Sequence, residues 1–160
     1  MGDFFDLSVK RANWDYYEPR TLHDSSLSLG PHSILANDMG DYLLAYELFL
    51  RACDVDMGPD NMRSSDDGIH SGSIGNIWQC AVLGFGGLRL NGDDIVLNPR
   101  LPDAWEDLSY FVWIRGQKLK IEVTKNNLTV NNITGTAPAE LVIFGEKHNI
   151  TGHLQVKINN

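Results

Sequence analysis

Residues 67–90, DGIHSGSIGNIWQCAVLGFGGLRL, mark the point at which the chain changes from one kind of secondary structure to another. Before Leu88 the apolar residues recur at helical spacing, and after it they alternate with polar residues. The small residues after His70 and the apolar run behind them predict a helix from about Ser71 to Phe85, which the following glycines end. The order of the two patterns predicts an α+β chain, helical first and strand-rich afterwards.

Two more helices are predicted upstream of this stretch. Pro31 suits the first turn of a helix and Gly40 its end, so the first helix should run from about Pro31 to Met39. Asp41 can cap a second helix that continues to about Cys53. The apolar stripe of that second helix is formed by Leu44, Ala45, Leu48, Phe49 and Ala52.

The remaining segments before Leu88 show no helical period. Residues 3–30 are aromatic at first and end in Ser and Gly, and we predict a long ordered loop there. Residues 54–68, DVDMGPDNMRSSDDG, are predicted to form a polar loop. The helix from Ser71 is apolar around most of its circumference, which implies burial on more sides than three helices can supply.

Short strands with alternating side chains are predicted in the last part of the chain. The clearest strand, residues 118–124, alternates aliphatic with charged or hydroxyl side chains, which is typical of a half-buried antiparallel strand. It should pair with residues 110–114 across a turn at residues 115–117. Further strands are predicted at residues 141–144 and 154–158, and their regular spacing favours a small antiparallel β-sandwich.

The composition excludes two classes of partner. The chain has 160 residues, a formal net charge of -8 and a pI of about 4.9, whereas nucleic acids and anionic membranes bind basic surfaces. No apolar stretch is long enough to cross a bilayer, and the first residues lack the apolar core of a signal peptide. We therefore expect a cytoplasmic protein that binds neither nucleic acid nor membrane.

The segment HDSSLS, residues 23–28, contains the first candidate binding residues. The adjacent hydroxyls of Ser25 and Ser26 lie just ahead of a predicted helix and can donate hydrogen bonds to an anion. The alternative role is local and commoner, because such side chains also satisfy loop backbone or cap helices.

The segment DGIHSGSIG, residues 67–75, places His70 and Ser71 where a helix begins. The first turn of a helix has N–H groups without intrahelical partners, and small residues there let an anion approach closely. A protonated histidine beside this turn adds a charge-assisted hydrogen bond. These features favour a phosphate or carboxylate site, although a single histidine at a helix start is more often structural.

Two other chemistries find less support. Aspartates cluster around the polar loop, but the glutamate that ends a calcium-binding loop is missing, so no metal site is expected. The aspartates concerned are Asp54, Asp56, Asp60, Asp66 and Asp67. Aromatic residues near the serines can stack on a sugar or, more commonly, pin the chain to a core; these are Trp14, Tyr16 and Tyr17.

Taken in order, several segments resemble glycoside hydrolase family 65. They are YYEPRTLHDSSLS at residues 16–28, LAYELFLRA at 44–52, the stretch 67–90, LNPRLPDAW at 97–105 and WIRGQKLKIEV at 113–123. The ordered series is far more specific than any single motif. The family comprises phosphorylases of maltose, trehalose, kojibiose, nigerose and related α-glucosides, together with some hydrolases.

The resemblance implies a division of the chain into two domains. Residues 1–87 correspond to the terminal helices of an (α/α) barrel of six hairpins, with the phosphate-site segments, and residues 88–160 to the small C-terminal β-sandwich. The chain would then be the C-terminal portion of an enzyme, with the rest of the barrel in cis or as a separate chain. The remaining barrel, a partner chain or self-association must cover the apolar faces of the helices.

The resemblance also assigns a phosphate site and a reaction. The family's paired serines and histidine fall on Ser25, Ser26 and His70, and the residue after the histidine is Ser71. The implied reaction is inverting phosphorolysis of an α-linked glucose disaccharide, with phosphate as co-substrate and no cofactor. Its general acid is a glutamate upstream of these segments, so no catalytic residue is expected in this chain, which should be inactive alone.

Two other functions stay open on the sequence. A family hydrolase of the trehalase kind would use a catalytic base in place of the phosphate site. A non-catalytic module that binds carbohydrate or a protein partner can be built on a β-sandwich, but the polar character of residues 23–28 and 67–75 argues against it.

Overall fold

The computed structural model describes residues 5–56 and 68–158. These residues form two compact units that divide between Phe85 and Gly86, the first helical and the second built from strands. The predicted α+β class is therefore confirmed. None of the helices in the described ranges combines the length and the apolar character needed to cross a membrane.

The prediction of a loop over residues 3–30 is wrong where helix α1, Leu7–Tyr17, forms. The Asp6 carboxylate accepts a hydrogen bond from the Val9 N–H at 2.9 Å and caps the first turn. Trp14 is the buried side chain of α1, so the helix has no apolar stripe that would reveal its period. Capping and one buried ring therefore define a helix that hydrophobic periodicity does not predict.

Helices α2, Leu29–Asp38, and α3, Tyr42–Asp54, pack against each other. Helix α2 starts two residues before the predicted position, because Pro31 occupies its first turn, where a missing N–H costs nothing. Asp41 caps α3 as predicted and accepts from the Leu44 N–H at 3.2 Å. The predicted apolar stripe is confirmed, with Leu44 half-buried and the other members buried: Ala45, Leu48, Phe49 and Ala52.

Helix α4, Ser71–Gln79, continues into a π-helical turn, Cys80–Phe85, so the predicted third helix is confirmed with a change of winding. The π-helical turn buries most of its side chains. By contrast, Ile74 and Trp78 of α4 are 47% and 55% exposed. The helices of this unit therefore leave part of the apolar circumference of α4 uncovered.

Within residues 86–158, eight strands form two four-stranded sheets with the orders β1-β2-β6-β7 and β3-β4-β5-β8. Their bounds are β1 Leu88–Asn91, β2 Asp94–Leu97, β3 Asp107–Ile114, β4 Gln117–Thr124, β5 Asn127–Asn132, β6 Ala139–Ile143, β7 Glu146–Ile150 and β8 His153–Lys157. Neighbouring strands are antiparallel except β2 and β6, which are parallel. The predicted β-sandwich is thus confirmed, with one parallel pair in it.

The predicted hairpin of β3 and β4 forms, but Gln117, predicted to lie in its turn, is the first residue of β4 and pairs with Ile114. Its two-residue turn has positive φ at both positions, 48° at Arg115 and 80° at Gly116, which matches the twist of the flanking strands. Leu119, Ile121 and Val123 are at most 1% exposed, as their alternation predicts. The sequence does not predict β1, β2, β5 and β7, each of which has six residues or fewer.

Candidate functional site

The serine pair lies in the turn between a 3-10 turn, Glu18–Arg20, and α2. Ser25 stabilises this turn with two hydrogen bonds. Its Oγ accepts from the Leu27 N–H at 3.2 Å, and its carbonyl accepts from the Ser28 N–H at 3.1 Å. The Ser26 side chain is half-buried, and no hydrogen bond holds its hydroxyl within the part of the chain that the structure describes. Within the turn, Ser25 Oγ acts as an acceptor, so its hydroxyl proton and that of Ser26 are both available to a ligand.

Two histidines hold Ser28 at the end of this turn. His23 has a left-handed φ of 52° and is 8% exposed, and its Nδ1 lies 3.1 Å from Ser28 Oγ. His32 Nδ1 donates to the Ser28 carbonyl at 2.8 Å, and the two imidazoles meet edge to face at 4.7 Å. Sequence reasoning misses these roles, because they depend on a backbone angle and a ring contact that residue types do not reveal.

Acidification is expected to destabilise the helical unit through His23. Burial lowers the pKa of His23 below its ordinary value of 6.5. The charges of His32 and Arg51 lower it further, and Glu18 opposes them. As the pH falls below about 6.5 the unfolded state binds the proton first, so the free energy of unfolding decreases down to the lowered pKa. Urea midpoints at about pH 7.5 and about pH 5.5 should show the loss.

The matched variants for this test are His23→Asn and His153→Asn. Asparagine tolerates a left-handed φ, so His23→Asn removes the titrating group at little backbone cost and should reduce the loss between the two pH values. His153 is exposed on β8, and its replacement should leave the pH dependence unchanged. An undiminished loss in His23→Asn would show that another group causes it.

His70 is the N-cap residue of α4, and Asp56 binds it at two atoms. The main-chain N–H of His70 donates to Asp56 Oδ2 at 2.8 Å, and His70 Nδ1 lies 2.6 Å from Asp56 Oδ1. The Asp56 side chain is 5% exposed and that of His70 37%, so the carboxylate is enclosed while the ring reaches the surface. The hydrogen bond from the His70 side chain holds the pKa of the Asp56 carboxyl below its ordinary value, against the opposing effect of burial.

Asp56 therefore has a histidine partner, although the sequence presents it among candidate calcium ligands. Three of the other aspartates, Asp60, Asp66 and Asp67, lie outside the described residues. Among the residues that the structure describes, no group of three His, Cys, Asp or Glu side chains is placed to hold a metal ion.

Ser71 follows His70 as the first residue of α4 and is exposed. The His70 carbonyl accepts from the N–H groups of Ser73, at 2.9 Å, and Ile74, at 3.2 Å. The N–H groups ahead of these have no intrahelical acceptor and point out of the helix start, where the dipole is positive. The start of α4 thus presents a hydroxyl, an imidazole and backbone donors together.

The two predicted anion-binding segments are neighbours, because α2 and α4 make a close contact. Asn76 Nδ2 donates to the Leu27 carbonyl at 3.1 Å, directly after the serine pair. A Cβ on Gly30 would lie 2.7 Å from Asn76 Cβ, and one on Gly72 would lie 2.9 Å from Leu27 Cδ2. The glycines therefore allow the serine turn and the start of α4 to lie side by side.

The aromatic residues near the serines differ in burial and in ring contacts. Trp14 is 8% exposed, and its ring lies 5.7 Å from that of His32, so it pins α1 to α2. Tyr16 and Tyr17 are exposed and meet edge to face at 4.9 Å. The Arg20 guanidinium covers the Tyr16 ring at 4.3 Å. Trp14 is therefore a packing residue and not a surface for a sugar.

Comparison with family models matches both units. The description "Glycosyl hydrolase family 65 central catalytic domain" applies to residues 1–79, and "Glycosyl hydrolase family 65, C-terminal domain" to residues 88–150. A solved structure assigned as a kojibiose phosphorylase from the human microbiome superposes with a TM-score of 0.87 at 31% identity. That likeness covers 98% of this chain and 23% of the solved one.

Curated relatives are phosphorylases from several bacteria. The kojibiose phosphorylase of Caldanaerobacter subterraneus subsp. tengcongensis is 38% identical over 148 residues, which cover 92% of this chain and 19% of that protein. The alpha,alpha-trehalose phosphorylase of Thermoanaerobacter brockii is 40% identical over 145 residues, which cover 89% of this chain and 18% of that protein. The chain thus spans about a fifth of the length of the curated relatives it matches.

Proposed function

The chain belongs to glycoside hydrolase family 65, and from this premise we propose that it is the phosphate-binding and C-terminal portion of an inverting disaccharide phosphorylase. The substrates are an α-linked glucose disaccharide and phosphate, and the products are β-glucose 1-phosphate and a free sugar. The observation that carries the proposal is the side-by-side placement of the serine turn and the start of α4.

The proposed domain assignment follows the two units. Residues 1–87 are the end of the (α/α) barrel and residues 88–160 the C-terminal β-sandwich. Large apolar side chains on the helical unit support this assignment, because Leu22 and Leu43 are each 83% exposed and Trp78 is 55% exposed. The rest of a barrel, in the same polypeptide or in a partner chain, would cover them.

The proposed reaction needs an acid and an anion site. A carboxylic acid from outside this chain protonates the glycosidic oxygen, while a phosphate oxygen attacks the anomeric carbon from the opposite face and the carbon–oxygen bond to the leaving sugar breaks. Phosphate is already a nucleophile, so the base of an inverting hydrolase is replaced by groups that bind and orient it. The hydroxyls of Ser25, Ser26 and Ser71 and the His70 ring are those groups, and no cofactor is involved.

Phosphate dependence of sugar release tests the proposal. The complete enzyme, meaning this chain together with the part that supplies the rest of the relatives' length, should cleave its disaccharide only when phosphate is present. Release at full rate without phosphate would instead identify a hydrolase of the family. Saccharide binding by the isolated chain without phosphate binding would favour a binding module.

Replacing His70 with alanine in the complete enzyme is expected to raise the KM for phosphate roughly 10- to 100-fold, because a hydrogen bond to a charged ligand is lost. The KM for the disaccharide should change little, since the residue lies at the anion site. Initial rates measured against each substrate separate the two constants. The control is His153→Ala, an exposed histidine on β8, which should leave both constants as they are; an unchanged phosphate KM in His70→Ala would remove the residue from the site.

A further inference from the structure

The contact between Asp56 and His70 uses both oxygens of one carboxylate and two donors of one residue. Oδ1 lies 2.6 Å from the ring nitrogen Nδ1, and Oδ2 accepts from the main-chain N–H at 2.8 Å. One bond fixes the backbone at the start of α4, and the other fixes the rotation of the ring. Together they leave the imidazole few orientations relative to the helix that it caps.

The same contact determines which ring nitrogen faces a ligand. An ionised carboxylate only accepts hydrogen bonds, so Nδ1 must carry a proton. The lowered pKa of the Asp56 carboxyl keeps it ionised at neutral pH. Nε2 is then the ring nitrogen without a bond to Asp56, on a side chain that is 37% exposed. When the ring is protonated, Nε2–H donates to an anion while Asp56 balances the charge of the ring.

We propose that Asp56 is a positioning residue that orients His70 so that Nε2 meets the phosphate. The proposal rests on the proposed function, since it concerns the same anion site. Asp56 itself stays enclosed behind the ring and touches no substrate, so its effect on phosphate passes through His70. Asp56 directly follows the C-cap residue of α3, and His70 is the N-cap residue of α4, so the contact also joins the ends of these two helices.

The protonation of the His70 ring in the 160-residue chain gives the first test. Long-range proton–nitrogen NMR spectra of the neutral ring, recorded at alkaline pH, should show a proton on Nδ1 and none on Nε2. Asp56→Ala should shift the ring towards the Nε2–H form, which free histidine prefers. Asp54→Asn is the matched control, because Asp54 is exposed two residues away, and should leave the spectrum of His70 unchanged. An Nε2–H ring in the unaltered chain, or no change in Asp56→Ala, would overturn the proposal.

Kinetics of the complete enzyme give the second test. Asp56→Asn retains one acceptor oxygen for two donors, and should raise the KM for phosphate on the order of tenfold while leaving the KM for the disaccharide within about twofold. A purely structural role would instead lower the amount of active enzyme and move neither constant, which would contradict the proposal. Cleavage that is independent of phosphate in the unaltered enzyme would defeat the proposed function, whereas the NMR result for Asp56 and His70 would be unaffected by it.

Discussion

Replacing Gly87 with alanine is expected to lower the free energy of unfolding of the sandwich unit by about 3 to 5 kcal/mol. Gly87 has a φ of 66°, and an added Cβ would lie 2.0 Å from the carbonyl oxygen of Asn98 and 2.2 Å from its carbonyl carbon. These are backbone atoms, and the Asn98 N–H donates to the Gly87 carbonyl at 3.1 Å. The clash therefore cannot be relieved by a side-chain rotation and must separate two paired segments.

Gly92→Ala is the matched control for this loss. Gly92 has a similar φ of 59°, but an added Cβ meets nothing within 4 Å. Its replacement should lower the free energy of unfolding by about 1 to 2 kcal/mol, which is the cost of placing an alanine in a left-handed conformation. Urea unfolding of both variants, followed by circular dichroism, gives the comparison. Equal losses in Gly87→Ala and Gly92→Ala would mean that the approach of Asn98 has no energetic consequence.

The elements that the sequence predicts well are those whose determinants are local. Asp41 caps α3 by accepting from the N–H of Leu44, three residues along the chain. The alternation of more and less buried side chains in β4 lies within one strand. The turn at Arg115 and Gly116 likewise needs only its own two residues. Helix α1 is missed for the opposite reason, because it buries Trp14 against a residue of another helix and has no apolar stripe.

The candidate site likewise has features that the sequence predicts and features that depend on contacts between distant residues. Paired hydroxyls before a helix and a histidine at a helix start are visible in the sequence, so Ser25, Ser26, His70 and Ser71 can be proposed from it. Their adjacency cannot be derived from local patterns, because it depends on Gly30 meeting Asn76, which lies far away along the chain. The family resemblance supplies that link. The contact between Asp56 and His70 also joins residues that are distant in the sequence. In the sequence, Asp56 is only one acidic residue among several.

Replacing Ser25 and Ser26 together with alanine is expected to lower the kcat/KM for phosphate of the complete enzyme roughly 100- to 1,000-fold. Both hydroxyl protons are free to donate, so the double variant removes two bonds to the nucleophile. Ser26→Ala alone should cost about tenfold and leave the fold intact, since its hydroxyl bonds to nothing within the described residues. Ser25→Ala should add a small loss of stability, because its Oγ also accepts from the Leu27 N–H.

The double variant discriminates between the local and the functional roles of the serines. A local role alone predicts that stability falls while the kinetic constants of the folded enzyme stay constant. The functional role predicts a loss confined to phosphate, with the disaccharide KM little changed, measured at saturating concentrations of the other substrate. Ser8→Ala, an exposed serine in α1 whose hydroxyl donates to Asp6 Oδ1, is the control and should leave the kinetic constants as they are. An unchanged phosphate KM in the double variant would leave Ser25 and Ser26 as turn residues and remove them from the phosphate site.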